Sequence, residues 1–148
     1  MFSSIVAGTD GSQTAAKALA AAVDLAQRTG SRLHIVSAYE AVSEERVRSE
    51  HLDVPQDAQW TVGPRSDVLA LLDDARRTAA QAGVAEVETF ARQGDAADAI
   101  LDVAEEQAAD LIVVGNKGMT GAKRFLLGSV PNKVSHHAPC SVLIVRTT

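Results

Sequence analysis

The hydrophobic positions follow two alternating periods along most of the chain. Short, nearly continuous apolar runs alternate with longer segments in which apolar residues recur every three or four positions. The runs predict buried β-strands, and the longer segments predict amphipathic α-helices. The predicted strands cover residues 5–7, 33–38, 86–92, 111–114 and 141–146. The segment 86–92 mixes polar and apolar residues, which predicts a strand at the edge of a sheet.

The first predicted helix covers residues 13–29, directly after the first strand. Ala15, Ala22 and Ala26 fall on one face of it. Asp10 and Ser12 are both suitable caps, because each carries an oxygen that can accept from a free backbone N–H. Gly30 is its predicted C-terminal stop, since glycine tolerates the left-handed conformation found there.

Three more helices follow. The second is predicted over 67–82, capped by Ser66 and ended by Gly83. The third begins after Asp95, a good capping residue. The fourth opens at Ser129, and a proline two residues later is tolerated because the first turn of a helix has unpartnered donors anyway.

The alternation of strands and helices predicts an α/β protein with a doubly wound, five-stranded parallel sheet and helices on both faces. Ligands of such sheets bind beyond the carboxyl ends of the strands, where the winding direction reverses. The turns at 8–10 and at Gly115 both follow predicted strands. If those strands are neighbours, the two turns face each other across one crevice.

Composition narrows the class of protein. The chain has 148 residues, of which 46% are hydrophobic, so we expect one domain, residues 1–148, with a substantial core. The sequence offers neither a membrane-spanning run nor a signal peptide, and its one cysteine fits a reducing compartment, so we expect a cytoplasmic protein. The net charge of -5 argues against nucleic acid or an anionic membrane as the partner.

A glycine-rich stretch follows the most apolar strand. Gly115 and Gly118 have Lys117 between them, and after nine further residues Gly128 and Ser129 stand at a predicted helix start. Glycines let backbone N–H groups approach a phosphate closely, and a helix N-terminus adds free donors and partial positive charge. The stretch therefore predicts a phosphorylated small-molecule ligand. Neither the Walker-type phosphate loop nor the dinucleotide fingerprint is present.

These residues resemble the universal stress protein family. The pattern Gly115-x2-Gly118-x9-Gly128-Ser129 matches the family's nucleotide-binding motif, and the segments 8–12 and 138–145 match its two ends. The resemblance covers the whole chain apart from residues 39–65. It implies strand order 3-2-1-4-5, a fold like that of the adenine nucleotide alpha hydrolases, and ATP bound at the crevice.

The resemblance also implies a role for each matching residue. Asp10 would help to hold a divalent cation, Mg²⁺ or Mn²⁺, beside the ribose and phosphates. The backbone around Ala38 would border the adenine, and Val114 and Gly115 would flank the ribose. The implied nucleotide-binding set is Gly8, Thr9, Asp10, Ala38, Val114, Gly115, Lys117, Gly118, Gly128, Ser129 and Val130.

Three functional hypotheses follow. The first is a stress-response protein that binds ATP as a dimeric regulator, with AMP or cyclic AMP as alternative ligands of the same site. The second is slow ATP hydrolysis, which has little support because no residue near the motif is evidently placed as a base. The third is a structural module without nucleotide, which the retained glycines argue against. We therefore expect no dedicated enzyme and no catalytic residue.

Other residues have simpler interpretations. Residues 39–65 form either a lid over the ligand or a solvated excursion. Adjacent histidines His136 and His137 point in different directions on a helix, which favours an exposed helix end over a metal site. Cys140 is expected to be a small buried residue at the last strand. Lys123 and Arg124 are more typical of a solvated loop than of ligand contacts.

The last strand carries a prediction of its own. Residues 142–145 are all apolar, and an open apolar edge strand invites aggregation. Pairing with the same strand of a second copy removes that edge. We therefore expect a homodimer built on residues 141–146, in agreement with the family resemblance.

Overall fold

The computed structural model describes residues 1–40, 64–116 and 127–147. The strands are β1 (Ser4–Gly8), β2 (Arg32–Tyr39), β3 (Val87–Gln93), β4 (Leu111–Gly115) and β5 (Ser141–Val145). The helices are α1 (Gln13–Thr29), α2 (Arg65–Gln81), α3 (Ala96–Glu106) and α4 (Ser129–His137). The predicted excursion at 39–65 falls almost entirely outside the described residues, as do Lys117, Gly118, Lys123 and Arg124.

The five strands form one parallel sheet in the order β3-β2-β1-β4-β5. This confirms the predicted doubly wound fold and strand order. β3 lies at one edge, as its mixed polarity predicted, and β5 lies at the other. All five residues of β1 are buried, because it lies in the centre of the sheet with helices on both faces.

Two helix layers cover the sheet. One core cluster packs α1 and α2 against β-strand residues such as Ile5, Ile35 and Val113. The other packs α3 and α4 against the opposite side of the same strands, at Val6, Val36 and Ile112. Neighbouring residues of a strand alternate between the two clusters, and because both faces are covered the inner strands are apolar almost continuously, as the sequence indicated.

The helix ends agree with the sequence except at α2. Ser12 is the cap of α1, with its side chain accepting from the Ala15 N–H, and Gly30 ends the helix in the left-handed conformation. Asp95 caps α3 as predicted. The prediction that Ser66 caps α2 was wrong. Pro64 holds that position, and its carbonyl accepts from Val68 N, so Ser66 already lies inside the first turn.

The N-terminal strand is fastened by Asp110, immediately before β4. Its carboxylate accepts from the Ser3 N–H and hydroxyl, each at 2.9 Å, and from Ser4 N at 3.3 Å. Burial alone would raise the pKa of Asp110, but the hydrogen bonds from Ser3 and Ser4 outweigh it and lower the pKa below 3.8. The amino end of β4 therefore holds the chain's first residues in place.

His34 is a buried polar residue within β2, with a side chain only 1% exposed. Its Nε2 lies 3.1 Å from the Ser4 hydroxyl, and that hydroxyl donates to the Gln107 carbonyl. Since a hydroxyl has one proton to donate, Nε2 must carry the hydrogen and donate to Ser4. Nδ1 is then a bare acceptor, buried without a partner among the described residues. Neutral His34 fits this site and a protonated ring does not.

We predict that His34 makes the protein less stable in mild acid. Burial lowers its pKa, against the partial opposition of Glu88, so the unfolded chain binds a proton at His34 before the folded chain does. The free energy of unfolding should therefore fall as the pH drops below 6.5, by at most about 1.4 kcal/mol per pH unit, and level off below the folded-state pKa.

Urea unfolding between about pH 5 and pH 8 measures this slope. His34→Leu should remove most of it, and His136→Gln, at an exposed histidine of α4, should leave it unchanged. An unaltered slope in His34→Leu would show that other groups cause the acid sensitivity.

Candidate functional site

The candidate site is the crevice between the carboxyl ends of β1 and β4. These strands are neighbours, with Ala7 opposite Val113. The chain leaves β1 toward β2 on one side and leaves β4 toward β5 on the other, so the winding direction reverses between them. The two turns singled out from the sequence therefore flank one topological switch point.

The β1–α1 turn is built by short-range hydrogen bonds. Thr9 is 2% exposed; its N–H donates to the Val36 carbonyl, and its hydroxyl accepts from Gly11 N at 3.2 Å. Gly11 has φ +82°, a left-handed conformation that a residue with a Cβ adopts only with strain. Thr9 and Gly11 together fix where Asp10 lies.

Asp10 uses only one of its two carboxylate oxygens. Oδ1 accepts from the Ser12 N–H at 2.9 Å and so shapes the turn. Oδ2 is buried and has no hydrogen-bond partner in the part of the chain that the structure describes. A buried carboxylate oxygen without a donor is costly, so this atom is suited to meet a cation or a donor from a bound molecule.

Gly8 has a packing reason to be glycine. A Cβ at this position would lie 2.4 Å from Ile100 Cδ1 and 3.1 Å from Ile100 Cγ1. The same Cβ would lie 3.9 Å from Val114 Cγ1, which shows how closely the ends of β1 and β4 approach. Gly8 thus lets α3 pack against the floor of the crevice.

The other side of the crevice is made by β4 and the start of α4. Val114 is 3% exposed and Gly115 is half-buried at the end of the strand. Gly128 occupies the capping position of α4, and its N–H donates to the Asn116 carbonyl at 2.9 Å. This hydrogen bond therefore holds Gly128 close to the end of β4, where Gly115 lies.

The start of α4 offers free backbone donors. Gly128 has no side chain to cap the helix, and the first N–H groups of any helix lack partners within it. Ser129 is exposed and Val130 is buried beneath it. A helix N-terminus of this kind attracts an anion through its donors and its partial positive charge.

Ala38 lies on the third wall. β2 pairs with β1 up to Val36 opposite Gly8, and then continues to Tyr39. Ala38, itself 1% exposed, therefore lies beyond the last residue of β1, at the side of the crevice remote from α4. Of the predicted binding residues, only Lys117 and Gly118 cannot be placed, because they are outside the described residues.

Asn116 was missed by the sequence analysis. Its side-chain Oδ1 accepts from both the N–H and the hydroxyl of Thr147, each at 2.9 Å. Nothing in the spacing of the glycine motif indicates this role, because the partner lies 31 residues away in the sequence. Asn116 connects the crevice to the segment after β5.

The histidines lie at an exposed helix end as predicted, whereas the cysteine is less buried than predicted. His136 and His137 are exposed in the last turn of α4. Cys140 is half-buried against the core beside β5, and burial raises the pKa of its thiol. Within the described ranges, no three His, Cys, Asp or Glu residues are grouped to hold a metal ion. A cation at Asp10 would thus take further ligands from a bound molecule.

A groove of about 560 Å³ also lies between α1 and α2. Its walls are largely aliphatic, and Leu19, Val23 and Leu71 line it, which explains why these core-facing residues are only partly buried. Its charged residues are carboxylates, at Asp24 and Asp74. The crevice also has a carboxylate, at Asp10, but the start of α4 adds backbone donors and partial positive charge there, so the crevice is the better anion site.

Known proteins of similar sequence cover the whole chain. Universal stress protein YxiE of Bacillus subtilis is 39% identical over 151 residues, covering 99% of this chain and 100% of that protein. Universal stress protein Rv1636 of Mycobacterium tuberculosis (strain H37Rv) is 37% identical over 147 residues, covering 99% and 98%.

Solved structures agree. The crystal structure of a universal stress protein in complex with cAMP superposes with a TM-score of 0.74 and 31% identity, covering 99% of this chain and 98% of that one. Across the helices that the structure describes, none is long and apolar enough to cross a membrane. The family model of the universal stress proteins matches residues 1–146. The fold, these relatives and that match together show that the chain belongs to the universal stress protein family.

Proposed function

We propose that this protein binds an adenine nucleotide, ATP in the first place, in the crevice between β1 and β4. The observation that carries the proposal is the presence, at one switch point, of Asp10 Oδ2 and the start of α4, which have no hydrogen-bond partner and no side-chain cap, respectively, among the described residues. One side suits a cation and the other suits an anion, which is the combination that a metal-bound polyphosphate requires.

The binding roles follow the match to the family motif. We propose that the backbone near Ala38 borders the adenine and that Val114 and Gly115 flank the ribose. Gly128, Ser129 and Val130 would hold the phosphates at the helix start, together with Lys117 and Gly118. Gly8, Thr9 and Asp10 would close the site from the β1 side. The ordered Thr9–Gly11 turn supports this, because it holds Asp10 before any ligand arrives.

Asp10 would hold Mg²⁺ or Mn²⁺ together with the phosphates. Both ions prefer oxygen ligands and keep few protein ligands when bound with a nucleotide, which agrees with a single carboxylate oxygen. Such an ion would neutralise phosphate charge beside Asp10. Oδ1 remains engaged with Ser12 and would keep the carboxylate oriented.

Cyclic AMP is the second candidate ligand. The 31% identical neighbour of known structure is in complex with cAMP, which favours an adenine ligand for this chain as well. Cyclic AMP carries one phosphate and needs no divalent ion, so it would leave Asp10 Oδ2 unused. Because this oxygen has no partner within the described ranges, it favours a polyphosphate, and competition between ATP and cAMP decides between them.

The nucleotide would act as a regulatory ligand of a cytoplasmic, single-domain stress-response protein. In the described part of the site, Asp10 is the one residue assigned to the phosphates or the ribose that could act as a general base. Its second carboxylate oxygen is proposed to face the cation. We therefore propose binding without dedicated catalysis, with hydrolysis at most slow.

The dimer is proposed to form through β5. The opposite edge of the sheet, β3, carries Glu88 and Arg92, and Arg92 pairs with Glu106 of α3. Such charges discourage edge-to-edge pairing. β5 has the sequence SVLIV and leaves Leu143 38% exposed. Pairing with a second copy would cover this apolar edge.

Calorimetry of the purified protein with ATP, cAMP and AMP tests the proposed function. We expect ATP binding with Mg²⁺, and Gly11→Ala should weaken it about tenfold, because strain at a left-handed residue shifts the Asp10 turn. Gly30→Ala introduces the same kind of strain at the far end of α1, where its Cβ meets nothing within 4 Å, and should leave the affinity unchanged. Absence of adenine-nucleotide binding by the wild type would refute the proposal.

Asp10→Asn tests the cation. Asparagine can keep the Oδ1 bond to Ser12 and removes the charge from the crevice. We expect ATP affinity to fall about tenfold in Mg²⁺, and to change little in a chelator or with cAMP as ligand. An equal loss with and without Mg²⁺ would mean that Asp10 contacts the nucleotide directly.

Leu143→Asp tests the dimer. A charge on the β5 edge should shift light scattering from dimer to monomer at micromolar concentration, because the two copies would bring like charges together. Leu69→Asp is the matched control, since Leu69 on α2 is similarly exposed at 42%. A monomeric wild type, or a dimer that tolerates Leu143→Asp, would contradict the β5 interface.

A further inference from the structure

Asn116 makes hydrogen bonds through three of its atoms to three points in the chain. Its N–H donates to the Val145 carbonyl and its carbonyl accepts from Gly128 N, both at 2.9 Å. Its Oδ1 accepts two bonds from Thr147. A single residue therefore connects the end of β4, the start of α4 and the segment after β5.

Thr147 is held from two sides. It is 5% exposed, although it follows the last strand and has a polar side chain. Besides its two bonds to Asn116, its carbonyl accepts from Lys17 Nζ of α1 at 3.3 Å. Two donors of Thr147 converge on Oδ1, so the amide of Asn116 is fixed in orientation. We call the set Asn116, Gly128, Val145, Thr147 and Lys17 the C-terminal clamp.

The clamp supports the start of α4. Gly128 has no side chain; its carbonyl accepts from Asn132 N within the helix, and its N–H bond to the Asn116 carbonyl ties the start of α4 to the end of β4. The position of that carbonyl depends on the rest of Asn116, which Val145 and Thr147 hold. Lys17 extends the support to α1, the helix that begins beside Asp10.

We propose that Asn116 and Thr147 are positioning residues that hold the α4 N-terminus ready for the nucleotide phosphates. This inference rests on the proposed nucleotide binding. A preorganised anion site binds more tightly because less ordering is required when the ligand arrives. Coupling between two sites is reciprocal, so bound nucleotide must in turn make the Thr147 segment more ordered.

Variants that remove two, one or none of the side-chain bonds between Asn116 and Thr147 test the proposal by calorimetry with Mg²⁺-ATP. Asn116→Ala removes the acceptor of both Thr147 bonds and should weaken binding about tenfold. Thr147→Val removes one bond and keeps the side-chain shape, so about a threefold loss is expected. Thr147→Ser keeps the hydroxyl and should bind as the wild type does.

Asp110→Ala is the matched control. Asp110 and Asn116 flank the same strand, and Asp110 likewise accepts its bonds from a residue near a chain end, Ser3. Asp110→Ala should lower Tm, as we also expect for Asn116→Ala, without changing the affinity for ATP. An Asp110→Ala variant that binds ATP as weakly as Asn116→Ala would overturn the proposal, since general destabilisation would then explain both.

Amide hydrogen exchange supplies a readout that does not depend on affinity. Asn116→Ala should speed exchange at Gly128 and Thr147 in the ligand-free protein more than at β1, and ATP should slow exchange at Thr147 in the wild type. Unchanged Gly128 exchange in Asn116→Ala, or wild-type ATP affinity in that variant, would refute the positioning role of the clamp and leave the proposed nucleotide binding standing. If the wild type binds no nucleotide, the proposed function fails, and the positioning role fails with it.

Discussion

Burial of the parallel sheet on both faces is the constraint from which the site's location follows. The central strand β1 is buried at every residue, and β4 is buried at four of its five residues. Such strands cannot carry charged side chains at low cost. The polar side chains of the crevice therefore come from the residues just after these strands, Thr9 and Asp10 after β1 and Asn116 after β4, and parallel winding brings them to one edge of the sheet.

Short side chains at the crevice serve the fold and the site together. Asp10 shapes its own turn with one oxygen, and its other oxygen has no hydrogen-bond partner in the described part of the chain. Gly8 admits Ile100 and so lets α3 pack beneath the turn. Gly128 donates its N–H to Asn116 and leaves the next donors of α4 uncapped. Each of these residues thus has a packing or hydrogen-bonding role in the fold at the edge of the crevice.

The sequence predicted the architecture because the signals that determine it are local. Apolar periodicity located the strands and helices, and the mixed segment at 86–92 indicated an edge strand correctly. Asp95 caps α3 and Gly30 ends α1 as predicted, because both roles depend only on the backbone geometry of adjacent residues. Ser66 failed as a cap because Pro64, two residues earlier, already supports a helical turn.

The features that the sequence did not reveal depend on distant contacts. His34 is buried because Ser4, 30 residues away in the sequence, offers its ring an acceptor. The apolar pattern of the strand does not indicate that a histidine can be buried at this position. Asn116 has its partner 31 residues later, and its neighbours in the motif give no indication of it. The glycine pattern identified which residues surround the crevice, and tertiary contacts decided which of them are held rigidly.

The strand order also has a consequence for synthesis. β1 is made first, but its second neighbour, β4, comes at residues 111–115, and the Ser4–Asp110 bond spans 106 positions. Until β4 leaves the ribosome, β1 can pair only with β2, and its other edge stays open. Loop closure over such a distance is slow relative to local pairing, and an open apolar strand is prone to associate with other chains. The nascent chain is therefore most exposed to misassembly in the interval before its fourth strand arrives.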